Sequence, residues 1–285
     1  MAETYFEPGE QRAAKVNELF ARIARRYDLI NDLQSLGLHR YWKRRVVNLA
    51  RPHPDQRALD LCCGTGDLAF ALAQRGLEVT GLDFSEPMLE VAALRQSRAP
   101  KPQITDSGPS PGVSSLKSQV SRPERKDQSP KAKVQSSRSG ASDGGTNVRG
   151  VCFVRGDAQE LPFEDKSFDI VTVGYGLRNL ADWERGLREM RRVARPGGRL
   201  LVLDFGKPDN RVWRAVYFSY LRLFVPCLGR IFCGSASAYG YILESLQHYP
   251  AQHGVAAKMT ELGLANVRIV NLLGGVMTIN IAEKV

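Results

Sequence analysis

The sequence predicts an α/β protein with a doubly wound, mostly parallel sheet of seven strands that ends in an antiparallel hairpin. Three observations predict this fold. Short apolar segments alternate with helical patterns, a glycine-rich turn follows the first of these segments, and a glycine pair separates the last two. With 285 residues and 43% hydrophobic content, the chain can bury one sizeable core. We therefore expect a single domain over residues 1–285.

The predicted strands are short, apolar or β-branched runs, and most end near a glycine or a polar turn. Their positions are 58–61, 78–83, 152–155, 168–174, 199–205, 267–272 and 276–282. The helical patterns lie at 67–74, 87–95, 183–193, 214–229 and 251–261. The R-P-G-G sequence at 195–198 predicts the turn into the fifth strand, with a glycine at positive φ.

The loop from Asp60 to Gly66, D-x-x-x-G-x-G, is the clearest sign of a ligand. It joins the first strand to a helix, and the second strand ends in Asp83, 17 residues beyond Gly66. Gly64 and Gly66 would let the backbone approach a nucleoside cofactor, and Asp83 would accept hydrogen bonds from both ribose hydroxyls. Ala69 replaces the third glycine of the dinucleotide pattern, which that pattern permits. The glycines alone therefore do not separate a dehydrogenase from a methyltransferase.

Asp60 favours the methyltransferase. A carboxylate at the head of this loop would repel a pyrophosphate but suits the ammonium and sulfonium of S-adenosylmethionine. After the third strand comes G-D-A-x-x-L-P-F at 156–163, a turn with which class I methyltransferases hold adenine. Asp157 would accept from the exocyclic amine, and the backbone amide of Ala158 would meet a ring nitrogen. The C-terminal hairpin is also common in class I S-adenosylmethionine-dependent methyltransferases, so this is the predicted fold class.

Residues 97–149 differ from the rest of the chain in composition. They contain twelve serines, six prolines and no aromatic residue, and ten basic against four acidic residues give them +6 of the whole chain's +10. Such a segment cannot bury enough apolar surface to offset its ordering entropy, so we expect a disordered basic insertion. A solvated insertion is the simplest interpretation, and contact with anionic lipid or nucleic acid is the alternative. No nucleic-acid partner is expected.

Cysteine and histidine positions give no sign of a metal site. The five cysteines and four histidines lack metal-ligand spacing, and the cysteines suit a reducing compartment. Residues 1–10 are polar with three glutamates, unlike a signal or transit peptide. A cytoplasmic location is therefore expected, with peripheral contact at the inner face of the membrane as a refinement.

Three further motifs resemble the ubiquinone and menaquinone biosynthesis C-methyltransferase family. They are R-Y-D-L-I-N-D at 26–32, S-L-G-L-H-R-Y-W-K at 35–43 and G-L-R-N at 176–179. The resemblance implies methyl transfer from S-adenosylmethionine to a ring carbon of a polyprenylated quinol, most often demethylmenaquinol. It also implies cofactor contacts at Thr65, Asp83, Asp157 and Ala158. Alternatives are the corresponding methylation in ubiquinone biosynthesis and methylation of another small phenol.

Some positions depart from the family pattern. Gly174 stands where relatives have a serine that contacts the cofactor, and Asn280 stands where relatives often have a histidine. Residues 234–241 are G-S-A-S-A-Y-G-Y in place of the common G-D-x-x-S-Y-x-Y. These differences bear on the choice of substrate rather than on the use of the cofactor.

Arg178, Asn179 and His39 are the candidate catalytic residues. A quinol carbon becomes nucleophilic when the neighbouring hydroxyl, with a pKa near 10, loses its proton. A guanidinium is a poor proton acceptor, so Arg178 would stabilise the oxyanion or hold a water, which Asn179 could orient. His39 is the alternative base, although a histidine at a helix start also suits a structural hydrogen bond.

Two helical regions complete the prediction. Residues 10–50 should form an N-terminal lid, with Tyr27, Asp28 and Asn31 over the cofactor, and a solvated amphipathic helix is the alternative for these three residues. The apolar segment 212–232 carries Arg214, Arg222 and Arg230, which exclude an ordinary membrane span. It predicts a groove for a prenyl tail, a helix pair packed on the core, or both. A non-catalytic lipid or nucleic-acid binding protein is the alternative from another class, and both monomer and homodimer are compatible with the sequence.

Overall fold

The computed structural model describes residues 37–98, 151–233 and 237–285 together with Asn31, Asp32 and Ser35, and it describes no side chains over 224–242. Its strands are β1 (Arg57–Leu61), β2 (Glu78–Asp83), β3 (Val151–Arg155), β4 (Phe168–Gly174), β5 (Ala194–Phe205), β6 (Leu264–Leu272) and β7 (Met277–Lys284). Its helices are α1 (Leu38–Ala50), α2 (Asp67–Ala73), α3 (Glu86–Arg98), α4 (Trp183–Val193), α5 (Arg211–Cys233), α6 (Ser237–His248) and α7 (Ala251–Glu261). Short 3₁₀ turns lie at Leu177–Asn179 and Leu273–Gly275.

All seven strands form one sheet in the order β3-β2-β1-β4-β5-β7-β6. The first five strands in this order are parallel, whereas β7 runs antiparallel to both β5 and β6. The predicted hairpin is confirmed, and its turn contains Gly274 and Gly275 with φ of 65° and 94°. The strand order reverses between β1 and β4, which creates a crevice at their carboxyl ends.

The core has two layers, one on each face of the sheet. Central strands such as β4 are buried on both faces, which explains their nearly continuous apolar sequence. One face packs against α4 through Leu187 and Met190. The other face packs against α1 and α2, through Val46 and Leu72. The two layers fix the strand ends from which the candidate site is built.

Predicted and observed boundaries differ in a few places. β5 begins at Ala194 rather than 199, because Ala194 pairs with Phe168 at the start of β4, and the residues after it form a bulge before the pairing resumes at Arg199. Gly197 has a φ of 76°, as predicted for the turn. Helix α3 continues to Arg98, so the first two positions of the predicted insertion are helical. The rest of that insertion lies outside the described residues.

Helix α5 is longer than the predicted 214–229 helix. It spans Arg211–Cys233 and is followed by α6. Across the described ranges, no helix combines the length and the apolar character that crossing a membrane requires. Tyr27 and Asp28 of the predicted lid, and the departures at 234–236, lie outside the described residues.

Candidate active site

A cleft opens at the carboxyl ends of β1, β2 and β4. The empty space within it, including the part that is open to solvent, is about 840 Å³. The predicted site residues that line it are Gly64, Asp83, Asp157, Ala158 and Asn179. A smaller cavity shares four lining residues with the cleft and is also lined by Asp60 and Thr65. The structure therefore brings most of the predicted cofactor residues together.

Gly66 shapes the loop after β1 without lining either cavity. Its φ is 87°, and a Cβ at this position would lie 2.8 Å from Phe70 Cε2 and 2.9 Å from Phe153 Cζ. Both the left-handed backbone and the close ring contacts therefore require glycine. The resulting turn is closed by a 2.9 Å hydrogen bond from the Gly66 amide to the Cys63 carbonyl.

Asp83 ends β2 with its carboxylate held by two loops. Its Oδ2 accepts from the Gly64 amide and its Oδ1 from the Ser85 amide, each at 2.8 Å. Burial raises the pKa of Asp83, and these backbone hydrogen bonds oppose that rise. The carboxylate is thereby fixed in orientation at the cleft wall, where ribose hydroxyls were predicted.

Asp157 and Ala158 also line the cleft, in the turn that follows β3. Asp157 is exposed, and its Oδ1 accepts from the Gln159 amide at 2.8 Å. Ala158 is buried beneath it. This short turn after β3 places an acceptor at the solvent-side rim of the cleft, as the predicted adenine contact requires.

Asp60 is 1% exposed and lines the smaller cavity. Its Oδ1 accepts from Thr172 Oγ1 at 2.8 Å, whereas its Oδ2 has no hydrogen-bond partner among the described residues. Burial raises the pKa of Asp60 to about 7, against the opposing effects of the Thr172 hydrogen bond, of Lys43 and of a backbone hydrogen bond from Ala69. A buried carboxylate oxygen without a partner favours a cationic ligand.

Lys43 and Asp67 form a charged contact at this cavity that sequence analysis alone did not assign to the site. Lys43 Nζ lies 2.6 Å from Asp67 Oδ2, and Arg95 Nη2 lies 2.6 Å from Asp67 Oδ1. Burial raises the pKa of Asp67, but the two cations outweigh this effect and bring it to about 2. Both residues could have been identified from the sequence, because Lys43 is the last residue of the 35–43 motif and Asp67 directly follows Gly66.

Arg178 lies behind the cleft rather than in its lining. It is 5% exposed, and its Nε lies 3.4 Å from Asp204 Oδ1, at the end of β5. Its Nη1 donates to the Tyr175 carbonyl at 3.0 Å and to Asn179 Oδ1 at 2.8 Å. Burial raises the pKa of Asp204, and Arg178 opposes that rise. Asn179 does line the cleft and therefore connects Arg178 to it.

His39 is buried near the start of α1 and lines neither cavity. Its Nδ1 lies 3.1 Å from Ser35 Oγ and 3.6 Å from Asp32 Oδ1. Burial, followed by Lys43, lowers the pKa of His39. These contacts favour the structural hydrogen bond over the role of base.

The structure shows which residues surround Gly174 and Asn280, two of the positions that depart from the family pattern. At Gly174 a Cβ would lie 2.8 Å from Leu68 Cδ1, so a serine there would require Leu68 to move. Asn280 is buried on β7, and its Nδ2 donates to the Gln252 carbonyl at 2.8 Å. Asn280 therefore ties β7 to α7.

Metal ligation has no support in the described part of the chain, where no group of three or more histidine, cysteine or acidic side chains could hold an ion. Cys62 and Cys63 border the cavities, and burial raises the pKa of each thiol well above its usual value. Neither thiol is thus poised to act as a thiolate.

Known proteins similar to this chain are methyltransferases. Residues 8–105 and 130–284 match the ubiE/COQ5 methyltransferase family. The chain is 34% identical to the demethylmenaquinone methyltransferase of Desulfitobacterium hafniense, covering 97% of this chain and 92% of the relative. It is 35% identical to a ubiquinone/menaquinone biosynthesis C-methyltransferase of Ectopseudomonas mendocina (96% and 90% covered) and 32% identical to the mitochondrial 2-methoxy-6-polyprenyl-1,4-benzoquinol methylase of Danio rerio (97% and 82%).

Solved structures support the fold. A Thermotoga maritima S-adenosylmethionine-dependent methyltransferase, described as a possible histamine N-methyltransferase, aligns with a TM-score of 0.56 at 15% identity, covering 94% of this chain and 99% of the other. A Haemonchus contortus phosphoethanolamine N-methyltransferase aligns with a TM-score of 0.53 at 15% identity, covering 86% and 52%. The class I methyltransferase fold predicted from the sequence is confirmed.

The residues present fit S-adenosylmethionine. The unpartnered Oδ2 of Asp60 suits the cationic end of this cofactor, and the carboxylates of Asp83 and Asp157 suit hydrogen-bond donors of an adenosine. The cofactor and the enzyme class predicted from the sequence are confirmed. The chain belongs to the ubiE/COQ5 methyltransferase family and is an S-adenosylmethionine-dependent methyltransferase.

Proposed function

We propose that this enzyme methylates a ring carbon of a polyprenylated quinol, converting demethylmenaquinol to menaquinol. The observation that carries the proposal is the near full-length similarity to relatives named for quinone substrates. The matched residues include both the 26–43 motifs and the 176–179 motif. Methylation in ubiquinone biosynthesis is the second candidate, because two of these relatives carry names that include it or a benzoquinol.

Asn179 and Arg178 are proposed to act on the quinol oxygen. The bound cofactor supplies an electrophilic methyl group, and the ring carbon reacts once its neighbouring hydroxyl is deprotonated. Asn179 lines the cleft and accepts a hydrogen bond from the buried Arg178. Through this contact the guanidinium would orient Asn179 and favour the phenolate electrostatically. A water would take the hydroxyl proton, because an arginine is a poor acceptor. After the methyl group is transferred, the ring carbon loses its proton and the quinol oxygen regains one, so the reaction releases one proton overall.

Two buried tyrosines support a polar substrate on the Arg178 side. The hydroxyls of Tyr217 on α5 and Tyr249 have no hydrogen-bond partner among the described residues. Burial raises the pKa of both tyrosines, and the charges of Arg178 and Asp204 act on both. Unpartnered buried hydroxyls near an ion pair suit a ligand that carries hydroxyl groups of its own.

An exposed stripe on α5 supports contact with a prenyl tail or with the membrane that holds it. Val212, Val216, Tyr220 and Leu223 are exposed at helical spacing, and Trp213 beside them donates to the Leu273 carbonyl at 3.0 Å. Arg211 and Arg222 are exposed on the same helix, which suits anionic head groups. We propose peripheral membrane contact through this stripe, with a second copy of the chain as the alternative partner.

A methyl-transfer assay tests the substrate. Purified enzyme is incubated with S-adenosylmethionine labelled in its methyl group and with reduced demethylmenaquinone or a reduced ubiquinone precursor. We expect label in the menaquinol product. Label only in the ubiquinone precursor would select the second candidate. No transfer to either quinol, with the cofactor still bound, would reject quinol methylation.

Vesicle flotation tests the stripe. The double variant Val216→Glu/Leu223→Glu should lose binding to anionic phosphatidylglycerol vesicles and keep its turnover on a short-tail quinol. Gln74→Glu/Ala257→Glu, at two exposed positions outside the stripe, adds the same two negative charges and serves as the control. Unchanged flotation of the stripe variant would reject the membrane contact, and a shift from dimer to monomer in sedimentation would favour the second copy.

A further inference from the structure

Lys43 is the only cation among the described residues that line the cleft or the smaller cavity. Its side chain is 11% exposed and extends from α1. The other charged residues that line the two cavities are Asp60, Asp67, Asp83 and Asp157. A ligand carboxylate placed there would therefore be repelled everywhere except near Lys43.

The surroundings of Lys43 leave it donors for a ligand. An ammonium has three donors, and its hydrogen-bond acceptor among the described residues is Asp67 Oδ2, at 2.6 Å. The other oxygen of Asp67 is held by Arg95, which lines neither cavity. Arg95 thus offsets part of the charge of Asp67, so that Asp67 does not fully neutralise Lys43.

Asp60 lies in the same small cavity and complements Lys43. Its Oδ2 is buried and has no hydrogen-bond partner among the described residues, so the cavity presents one open carboxylate oxygen and a cation with unused donors. An α-amino acid carries both matching groups, an ammonium and a carboxylate. The methionine portion of S-adenosylmethionine has this chemistry.

We propose that Lys43 binds the carboxylate of the methionine portion of S-adenosylmethionine, in the cavity where Asp60 receives its ammonium. Lys43 is then a cofactor-binding residue supplied by α1, outside the glycine loop. The competing explanation is an ion pair that only fixes α1 to the start of α2. The two explanations differ in whether the effect of Lys43 depends on the ligand carboxylate.

Calorimetric binding to two ligands separates these explanations. The first ligand is S-adenosylmethionine, and the second is its decarboxylated form, which keeps the sulfonium and the ammonium. Lys43→Met should weaken binding of the first ligand about tenfold or more, the scale of one charged hydrogen bond. Binding of the decarboxylated ligand should change less than about twofold, because that contact is absent.

Lys258→Met is the matched control. Lys258 is 13% exposed and lies 2.7 Å from both Glu184 and Glu261, but it lines neither cavity. This variant should leave both affinities unchanged. Lys43→Arg, which keeps the charge, should restore most of the affinity for S-adenosylmethionine.

An equal loss of affinity for both ligands in Lys43→Met would show a purely structural role and overturn the proposal, as would no loss for either. If Lys43→Met fails to fold, Lys43→Gln is measured in its place, and the native protein must still prefer S-adenosylmethionine over the decarboxylated ligand. A native protein without this preference overturns the proposal. No quinol is present in these measurements, so their failure leaves the proposed substrate untouched.

Discussion

The two sides of the cleft hold their polar residues in different ways. On the β1–β3 side, Asp83 and Asp157 accept from amides of nearby loops and line the cleft directly. On the β4–β5 side, Arg178 turns inward and pairs with Asp204, 26 positions along the chain. The exposed Asp157 is satisfied by its own turn and the half-buried Asp83 by the amides of two loops, whereas a buried guanidinium requires a counter-charge from another strand. Substitutions on the two sides should therefore have different consequences.

Breaking the ion pair should have the largest effect. Arg178→Met should lower the free energy of unfolding by about 3–5 kcal/mol, because it leaves Asp204 buried without its partner. Equilibrium urea denaturation measures this loss. Arg188→Met is the control, since its pair with Asp182 is about half exposed and should contribute less than about 1 kcal/mol. Equal losses in the two variants would contradict the contrast between the two sides.

Arg178→Lys should reduce the rate of methyl transfer by about a hundredfold, the scale of one lost oxyanion donor. Lysine keeps the charge but cannot contact Tyr175, Asn179 and Asp204 together. Single-turnover measurement at saturating cofactor isolates this step. Survival of activity would mean that charge alone suffices. His39→Asn, measured beside it, should retain activity, and a loss that high pH reverses would assign the base to His39.

Asp83→Ala should weaken the affinity for S-adenosylmethionine by about 2 kcal/mol or more, through the lost ribose contact. Asp83→Asn keeps an oxygen for the Gly64 amide and should lose less. Calorimetry gives both affinities, and thermal denaturation without ligand shows whether the fold is intact. An unchanged affinity in Asp83→Ala would reject the ribose contact.

Asp60 should make cofactor binding depend on pH. Burial raises its pKa to about 7, and a bound cation would lower that pKa again. Binding at pH 7 should then release about half a proton, and affinity should fall by up to about tenfold per pH unit as the pH drops below 7. Without ligand, the stability of the fold depends on pH in the opposite direction. Because the pKa of Asp60 is higher in the folded than in the unfolded protein, its ionisation lowers the free energy of unfolding as the pH rises from about 4 to 7.

Calorimetry in two buffers of different ionisation enthalpy measures the proton release. Asp60→Asn is the control, because it removes the titrating carboxyl and leaves only protons from the ligand amine. Identical release by Asp60→Asn and the native protein would show that Asp60 does not titrate on binding.

Replacing residues 100–147 with a short Gly-Ser linker should have the smallest effect. Helix α3 ends at Arg98 and β3 begins at Val151, so the linker leaves both elements intact. The serine-rich composition predicts few native contacts, and we expect a change in stability below about 0.5 kcal/mol. Thermal denaturation and turnover on a short-tail quinol check this. A large loss of either would show an ordered or catalytic insertion, and a loss confined to anionic vesicles would indicate membrane contact.

The β1–β3 side could be predicted from the sequence almost completely. Apolar periodicity predicts strand β2, and the glycine positions predict the loop after β1. The place of Asp83 in the cleft is predicted by its position at the carboxyl end of a parallel strand. The hairpin of β6 and β7 follows from its glycine pair. The predictions of the family and of the cofactor are confirmed, and the family match extends over residues 8–105 and 130–284. The catalytic roles remain predictions.

The direction of individual side chains was not predictable. Arg178 belongs to the 176–179 motif, but its buried orientation depends on Asp204, which lies on β5 within 3.4 Å of its Nε. A buried charge requires such a counter-charge. Likewise Lys43 reaches the small cavity only because α1 packs beside α2. The sequence by itself determined the order of the elements, for which local backbone chemistry and hydrophobic period suffice, and the type of cofactor, which the acidic Asp60 at the head of the glycine loop and the family motifs indicate. Tertiary packing decided which charges meet, since electrostatic pairing depends on distances between segments that are far apart in the chain.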